Sequence, residues 1–213
     1  MEVALNNNPH KQTMFARVLI AIVRPFVKLF CRVKIKGLEN LPTEGGYVLC
    51  SNHISYMDPV FWIVFTKKRI QYMAKAEIFK NKFVTWFFNK LGVFPVTRNG
   101  GNSGAVNHAI NLVEKGGILG IFPEGARSKD NKPAKSKAGT AYIANATSSD
   151  IVPAAVCVKS KVRPFRKTLL IIGKPISHEE IHFEGTDRKG LRNASTKIME
   201  EITKLWEQGQ NEL

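Results

Sequence analysis

Tyr47-Val48-Leu49-Cys50-Ser51-Asn52-His53-Ile54-Ser55-Tyr56-Met57-Asp58-Pro59-Val60-Phe61-Trp62-Ile63-Val64-Phe65 is the stretch whose reading decides the fold. A short apolar run, a polar turn and a second apolar run behind Asp-Pro read as strand, loop and helix. Asp58-Pro59 has the chemistry of an N-cap followed by a first helical position. His53 and Asp58 lie five positions apart, which on one helix would set them about 140° from each other. They can meet if His53 sits in the turn and Asp58 opens the helix. A neutral imidazole takes a proton from a hydroxyl near pH 7, and a carboxylate behind it holds the tautomer. No serine nucleophile is evident beside the pair, so such a site suits direct transfer to a hydroxyl that belongs to a substrate. The plainer reading is that Asp58 only caps a helix and His53 is a satisfied loop histidine.

The same plan recurs along the chain. Gly117-Ile118-Leu119-Gly120-Ile121-Phe122 reads as a buried strand running into Pro123-Glu124-Gly125-Ala126-Arg127-Ser128. A glycine turn at a strand end exposes backbone N–H groups, and an Arg close behind can fork onto a phosphate. Gly92-Val93-Phe94-Pro95-Val96-Thr97-Arg98 is another apolar strand ending in Arg, and Ile151-Val152-Pro153-Ala154-Ala155-Val156 is an apolar run holding a Pro. Strands are expected at 33–36, 47–51, 70–74, 92–96, 118–122, 151–158 and 169–173. Helices are expected at 58–66, 80–91, 104–114, 137–147 and 188–208. This alternation predicts an α/β fold, a mostly parallel sheet of about seven strands with helices on both faces. Loops at the strand ends are then the expected place for a site. The Gly- and Asn-rich segment 99–104 reads as a mobile lid or a plain connection.

Asn-His-Ile-Ser-Tyr-Met-Asp at 52–58, Gly-Val-Phe-Pro-Val-Thr-Arg at 92–98, Phe-Pro-Glu-Gly-Ala-Arg-Ser at 122–128 and the run at 151–156 occur in an order and spacing that resembles the PlsC-type glycerolipid acyltransferases. The resemblance covers about residues 33–175. It implies that His53 is the general base that deprotonates a lysophospholipid hydroxyl, that Asp58 orients and steadies it, and that the alkoxide attacks an acyl thioester directly. Glu124, Gly125 and Arg127 would hold the glycerol phosphate, with Arg98 nearby. Lys75, in Tyr72-Met73-Ala74-Lys75-Ala76-Glu77, matches a family lysine assigned to the same phosphate. The implied reaction converts lysophosphatidic acid to phosphatidic acid with an acyl carrier protein or coenzyme A thioester as donor. It uses no cofactor and no metal. Acylation of another lysophospholipid, or a catalytically silent membrane-binding protein, are the alternatives.

Residues 14–33 bear on where the chain works. They carry Arg17, Arg24, Lys28 and Arg32 within about an 80° arc of a helical wheel, with Val18, Leu19, Ile22, Val23, Phe26, Leu29 and Phe30 on the other faces. Burying a cation at the centre of a spanning helix costs about 2.5–3.5 kcal/mol, so the segment is better placed flat on a bilayer. Pro25 is expected to divide it in two, and a helix packed on the domain is the competing reading. The organisation expected is a frayed tail at 1–12, amphipathic membrane-binding helices at 13–33 and an α/β domain at 34–213. The aromatics and lysines of 79–88 suit a headgroup interface too.

The formal net charge of +15 favours an anionic membrane surface. Nucleic acid is the rival partner for so basic a chain, but no nucleic-acid motif is present and the cations are scattered. The expectation is a peripheral protein on the cytoplasmic face of a membrane. Cys31, Cys50 and Cys157 show no metal-ligand spacing and no disulfide framework, which fits a reducing compartment. His178 and His182, four apart in an expected loop, lack a third ligand for zinc.

Overall fold

Tyr47–Ser51 is apolar at nearly every position and buried at all of them, as a strand covered on both faces requires. In the computed structural model, which describes residues 12–96, 103–184 and 187–213, it is the middle strand of a seven-stranded sheet. Arg98, the segment 99–102 and the chain before residue 12 lie outside the described residues.

The strands are β1 Val33–Lys36, β2 Tyr47–Ser51, β3 Ile70–Lys75, β4 Val93–Val96, β5 Ile118–Ile121, β6 Ile151–Cys157 and β7 Thr168–Ile172. The helices are α1 Met14–Phe30, α2 Asp58–Thr66, α3 Lys82–Leu91, α4 Ser103–Glu114, α5 Gly139–Ala146, α6 His178–Ile181 and α7 Arg188–Asn211. Across the sheet the order is β1-β7-β6-β2-β5-β3-β4. The five strands from β6 to β4 run parallel. β7 is antiparallel to β6, and β1 is parallel to β7, so two strands on one side are reversed. The expected mostly parallel sheet is thus present, with a reversal that periodicity does not encode.

The pleat sorts the core into two faces. Tyr47 and Leu49 join Phe61 and Trp62 of α2 and Ala16, Ile20 and Val27 of α1. Val48 and Cys50 join residues of α4, α5, α6 and α7. Helices therefore cover both faces, as expected. α3 opens on Asn81, whose side chain accepts from the N–H groups of Phe83 and Val84, and closes at Gly92 in the left-handed region, φ 84°. α7 is opened in the same way by Asp187.

Two local readings change. Pro25 does not divide the first helix: α1 is continuous from Met14 to Phe30. Pro25 leaves the Ala21 carbonyl without its helical partner, but both residues face solvent, so water can take that carbonyl. His178 lies in a one-turn helix rather than a loop, because Ser177 and Glu180 form a capping box.

Candidate active site

The sheet sends its chain in opposite directions from two neighbouring strands. After β2 it moves toward β3; after β5 it returns past β2 to β6. The two diverging loops leave a crevice at the carboxyl ends of the strands. His53 lies in the loop after β2, and Glu124 in the loop after β5. Lys75 ends β3, one strand further out, roughly 10 Å from β2 by strand spacing. The structure therefore gathers the described candidates at one edge of the sheet.

The His53 ring Nδ1 lies 2.8 Å from Asp58 Oδ2. Asp58 is fully buried. The same oxygen accepts the N–H groups of Ile54 at 2.7 Å and Ser55 at 2.8 Å. Three donors on one carboxylate offset its removal from water. α2 does begin at Asp58, with Pro59 in its first turn. The carboxylate, however, turns back onto the His53 loop instead of capping the helix. That settles the geometric question raised by the five-residue spacing: the loop folds over the start of α2 and brings the imidazole to the acid.

Other contacts fix the loop from below. Asn52 is buried; its Nδ2 donates to the Val156 carbonyl at 3.0 Å and its Oδ1 accepts the Val156 N–H at 2.8 Å. The end of β2 is thereby clamped to β6. The His53 N–H donates to Glu124 Oε1 at 2.9 Å, and the His53 carbonyl accepts the Ser128 N–H at 2.7 Å. The segment 124–128 thus grips the backbone of the residue that carries the imidazole. Burial pushes the Glu124 carboxyl above its ordinary value, offset in part by backbone hydrogen bonds at His53 and Ala134. This carboxylate faces the histidine loop; sequence reasoning had given it to the substrate phosphate.

The imidazole is also held by a stack. Its ring lies on Phe122, centroids 4.1 Å apart and planes 15° apart. Phe122 lies in turn 5.4 Å from the Tyr72 ring. Tyr72 fits there because its register partner is Gly120; a Cβ at 120 would stand 2.3 Å from the tyrosine ring. Gly125 has the other functional glycine geometry. It follows the turn closed by its N–H on the Phe122 carbonyl at 3.0 Å, and its φ is 71°.

Cations stand over that turn. Arg127 stacks on the Tyr56 ring, with Cζ 3.6 Å from the centroid, and its Nη2 donates to the Tyr56 hydroxyl at 2.8 Å. A Cβ at Gly125 would meet Cδ, Cε and Nζ of Lys137 at 2.9 Å, so this lysine side chain lies across the glycine. The Lys137 N–H donates to the Pro123 carbonyl at 2.8 Å. Sequence reasoning missed Tyr56, Phe122 and Lys137. Tyr56 and Phe122 sat inside motifs that had been read only for their charged members. Nothing in the spacing marks Lys137, which reaches Gly125 only through the fold.

Residues 32–157 match the family model for acyltransferases. The chain is 34% identical over 161 residues to a 1-acyl-sn-glycerol-3-phosphate acyltransferase of Bacillus subtilis (strain 168), covering 73% of this chain and 80% of that protein. It is 31% identical over 180 residues to a chloroplastic 1-acyl-sn-glycerol-3-phosphate acyltransferase of Arabidopsis thaliana, covering 81% of this chain and 50% of that protein. Its fold resembles the crystal structure of the 1-acyl-sn-glycerophosphate acyltransferase PlsC from Thermotoga maritima, with a TM-score of 0.68 and 24% identity over 89% of this chain and 80% of that one. The chain belongs to the acyltransferase family, in its PlsC-type glycerolipid branch.

Proposed function

We propose that this chain transfers an acyl group from a thioester to the free hydroxyl of 1-acyl-glycerol-3-phosphate, giving phosphatidic acid. The observation that carries the reading is the 2.8 Å contact between His53 Nδ1 and a fully buried Asp58. With Nδ1–H directed at the carboxylate, the lone pair of the neutral ring is on Nε2. No hydrogen bond among the described residues joins this ring to a serine or cysteine, which favours one-step transfer over an acyl-enzyme. The ring takes the proton of the acceptor hydroxyl as its oxygen bonds to the thioester carbonyl carbon. The tetrahedral intermediate collapses, the C–S bond breaks, and the departing thiolate takes the proton from the imidazolium. Asp58 holds the ring in place and steadies its charge between the two transfers.

Arg127 and Lys137 bind the acceptor phosphate over the Gly125 turn, and Lys75 extends the positive wall. Arg98 is assigned to the same phosphate from its motif alone. Glu124 serves it indirectly, by holding the His53 backbone. The similarity to the Bacillus subtilis enzyme supports this acceptor. Either an acyl carrier protein or coenzyme A carries the donor acyl group.

The enzyme works from the cytoplasmic surface of an anionic membrane. Val18, Ile22, Phe26 and Leu29 of α1 are exposed, and so are Phe83 and Trp86 of α3. Phe15 and Trp86 meet edge-to-face at 5.1 Å, which joins the two helices into one apolar surface. No described helix is long and apolar enough to cross a membrane.

The test is transfer of a labelled acyl chain from each donor to lysophosphatidic acid in mixed micelles, with lysophosphatidylcholine as the control acceptor. His53→Ala should lower turnover by roughly 10²–10⁴-fold while the protein stays folded. Substantial residual turnover would remove His53 as the base. Equal use of both acceptors would remove the preference for a free phosphate monoester.

A further inference from the structure

β6 ends at Cys157, and residues 158–167 lead back into β7. This connection, the turn between α1 and β1 and Leu213 line a cavity of about 240 Å3 that is open to solvent. Five cations line it: Arg32, Lys159, Lys161, Arg166 and Lys167. No acidic side chain lines it, and none of the five is ion-paired among the described residues. The five lining cations thus carry positive charge that no lining side chain offsets. All five are exposed, so water and salt screen their repulsion, but together they set up a positive potential that draws an anion.

The rim of the cavity adds an independent observation. Phe165 is 64% exposed and adopts φ 63°, a left-handed conformation unusual for a bulky residue. Its N–H donates to the Phe30 carbonyl, and its ring packs on Phe30 with centroids 5.4 Å apart. The backbone is thus held in an uncommon conformation while a large apolar ring stays in solvent. Phe30 ends α1, whose exposed side chains run from Val18 through Ile22 and Phe26 to Leu29. An apolar strip therefore leads to the mouth of a cationic cavity. A membrane lipid has the complementary layout, with apolar chains joined to an anionic phosphate.

The cavity is separate from the site at His53. Its lining comes from the ends of β6, β7 and β1 and the connections there, and includes none of the residues of the loops that carry His53 and Glu124. The two are linked through the Asn131 side chain, which donates to the Ser160 carbonyl and ties the loop after Arg127 to the cavity wall, and through the Asn52 clamp on Val156.

We infer that this cavity binds the phosphate headgroup of an anionic bilayer lipid that is not the substrate, and so fixes how the protein sits on the membrane. The inference rests on the membrane-surface reading above but not on the reaction. Phosphatidylglycerol vesicles separate the two, because that lipid has no vacant acyl position on its glycerol backbone. Lys161→Ala/Lys167→Ala in the full chain should weaken vesicle binding by about 30-fold, since each cation near an anionic surface is worth about 1 kcal/mol. Lys197→Ala/Lys204→Ala removes the same charge from α7, on the opposite face from α1, and should weaken it by less than about threefold. Equal losses in the two variants would overturn the site in favour of general surface charge. Soluble glycerol 3-phosphate, titrated by NMR, should shift the Phe165 and Arg32 amides in the parent and not in the cavity variant. A cavity variant that loses glycerol 3-phosphate but keeps full vesicle affinity would identify a free phosphate compound as the occupant and overturn the lipid assignment. Acyl transfer in detergent micelles should be unchanged in the cavity variant, so its failure would be distinct from a failure of the His53 assignment.

Discussion

Glu124 holds the His53 backbone N–H at a cost in stability. Its carboxyl is raised above the ordinary value of 4.5 mainly by burial, so the folded state favours the protonated form more than the unfolded state does. The sign follows from linkage: the stability tied to this proton is fully present below pH 4.5 and is lost as pH rises through the folded value. Above that range, keeping this carboxyl buried weighs against the folded state. Glu124→Gln removes that burden and keeps an acceptor oxygen. We expect its denaturation midpoint to match or exceed the parent at pH 7, the difference vanishing as pH falls below 4.5. A variant less stable than the parent at pH 7 would refute this. Asn52 behaves in the opposite way. Asn52→Ala leaves the buried N–H and carbonyl of Val156 unpaired and should destabilise the protein by about 2–4 kcal/mol in urea unfolding. Its position between β2 and His53 means that turnover should fall with it, although no part of Asn52 needs to touch substrate.

α1 has two duties, on different faces. Ala16, Ile20 and Val27 are buried against the first core cluster, while Ile22 and Phe26 are each 59% exposed. Ile20→Ala should therefore cost about 2–5 kcal/mol of stability, as loss of a packed aliphatic side chain does. Ile22→Ser/Phe26→Ser should leave the unfolding midpoint nearly unchanged and release the protein from anionic vesicles. Unchanged vesicle binding in that variant would move the membrane contact elsewhere. Removing the helix outright would mix the two effects, because truncation strips the core as well as the surface. Most elements were legible because their cues are local. Continuous apolar runs marked the buried strands, and Asp58-Pro59 marked the start of a helix. Strand direction was less so, since an apolar run reads alike in either sense. A signal was nevertheless available: about ten residues separate β6 from β7, too few for the crossover a parallel neighbour needs. At the site, the His53–Asp58 pair was readable from residue type and spacing. The Lys137 contact and the Gly120–Tyr72–Phe122–His53 stack were not, because they join segments that only the folded sheet brings together.

For the whole molecule, the net charge of +15 is less informative than its arrangement. Lys137 lies across Gly125, Arg127 on Tyr56 and Lys75 at the end of β3, while five other cations line the cavity beside β7. Composition reported the excess of cations but not these placements, since Arg32 and Lys161 are far apart in sequence and meet only when β1 joins β7. That pairing has a consequence for the order in which the protein is made. Val33 pairs with Thr168, about 135 residues later in the chain. At roughly 5–20 residues per second, the ribosome needs on the order of 7–27 s to supply the partner of the first strand. During that interval β1 has no neighbour on its sheet edge. The helices α1 and α2 come within reach of each other early, so a bilayer nearby would meet their exposed apolar face before the far edge of the sheet is closed.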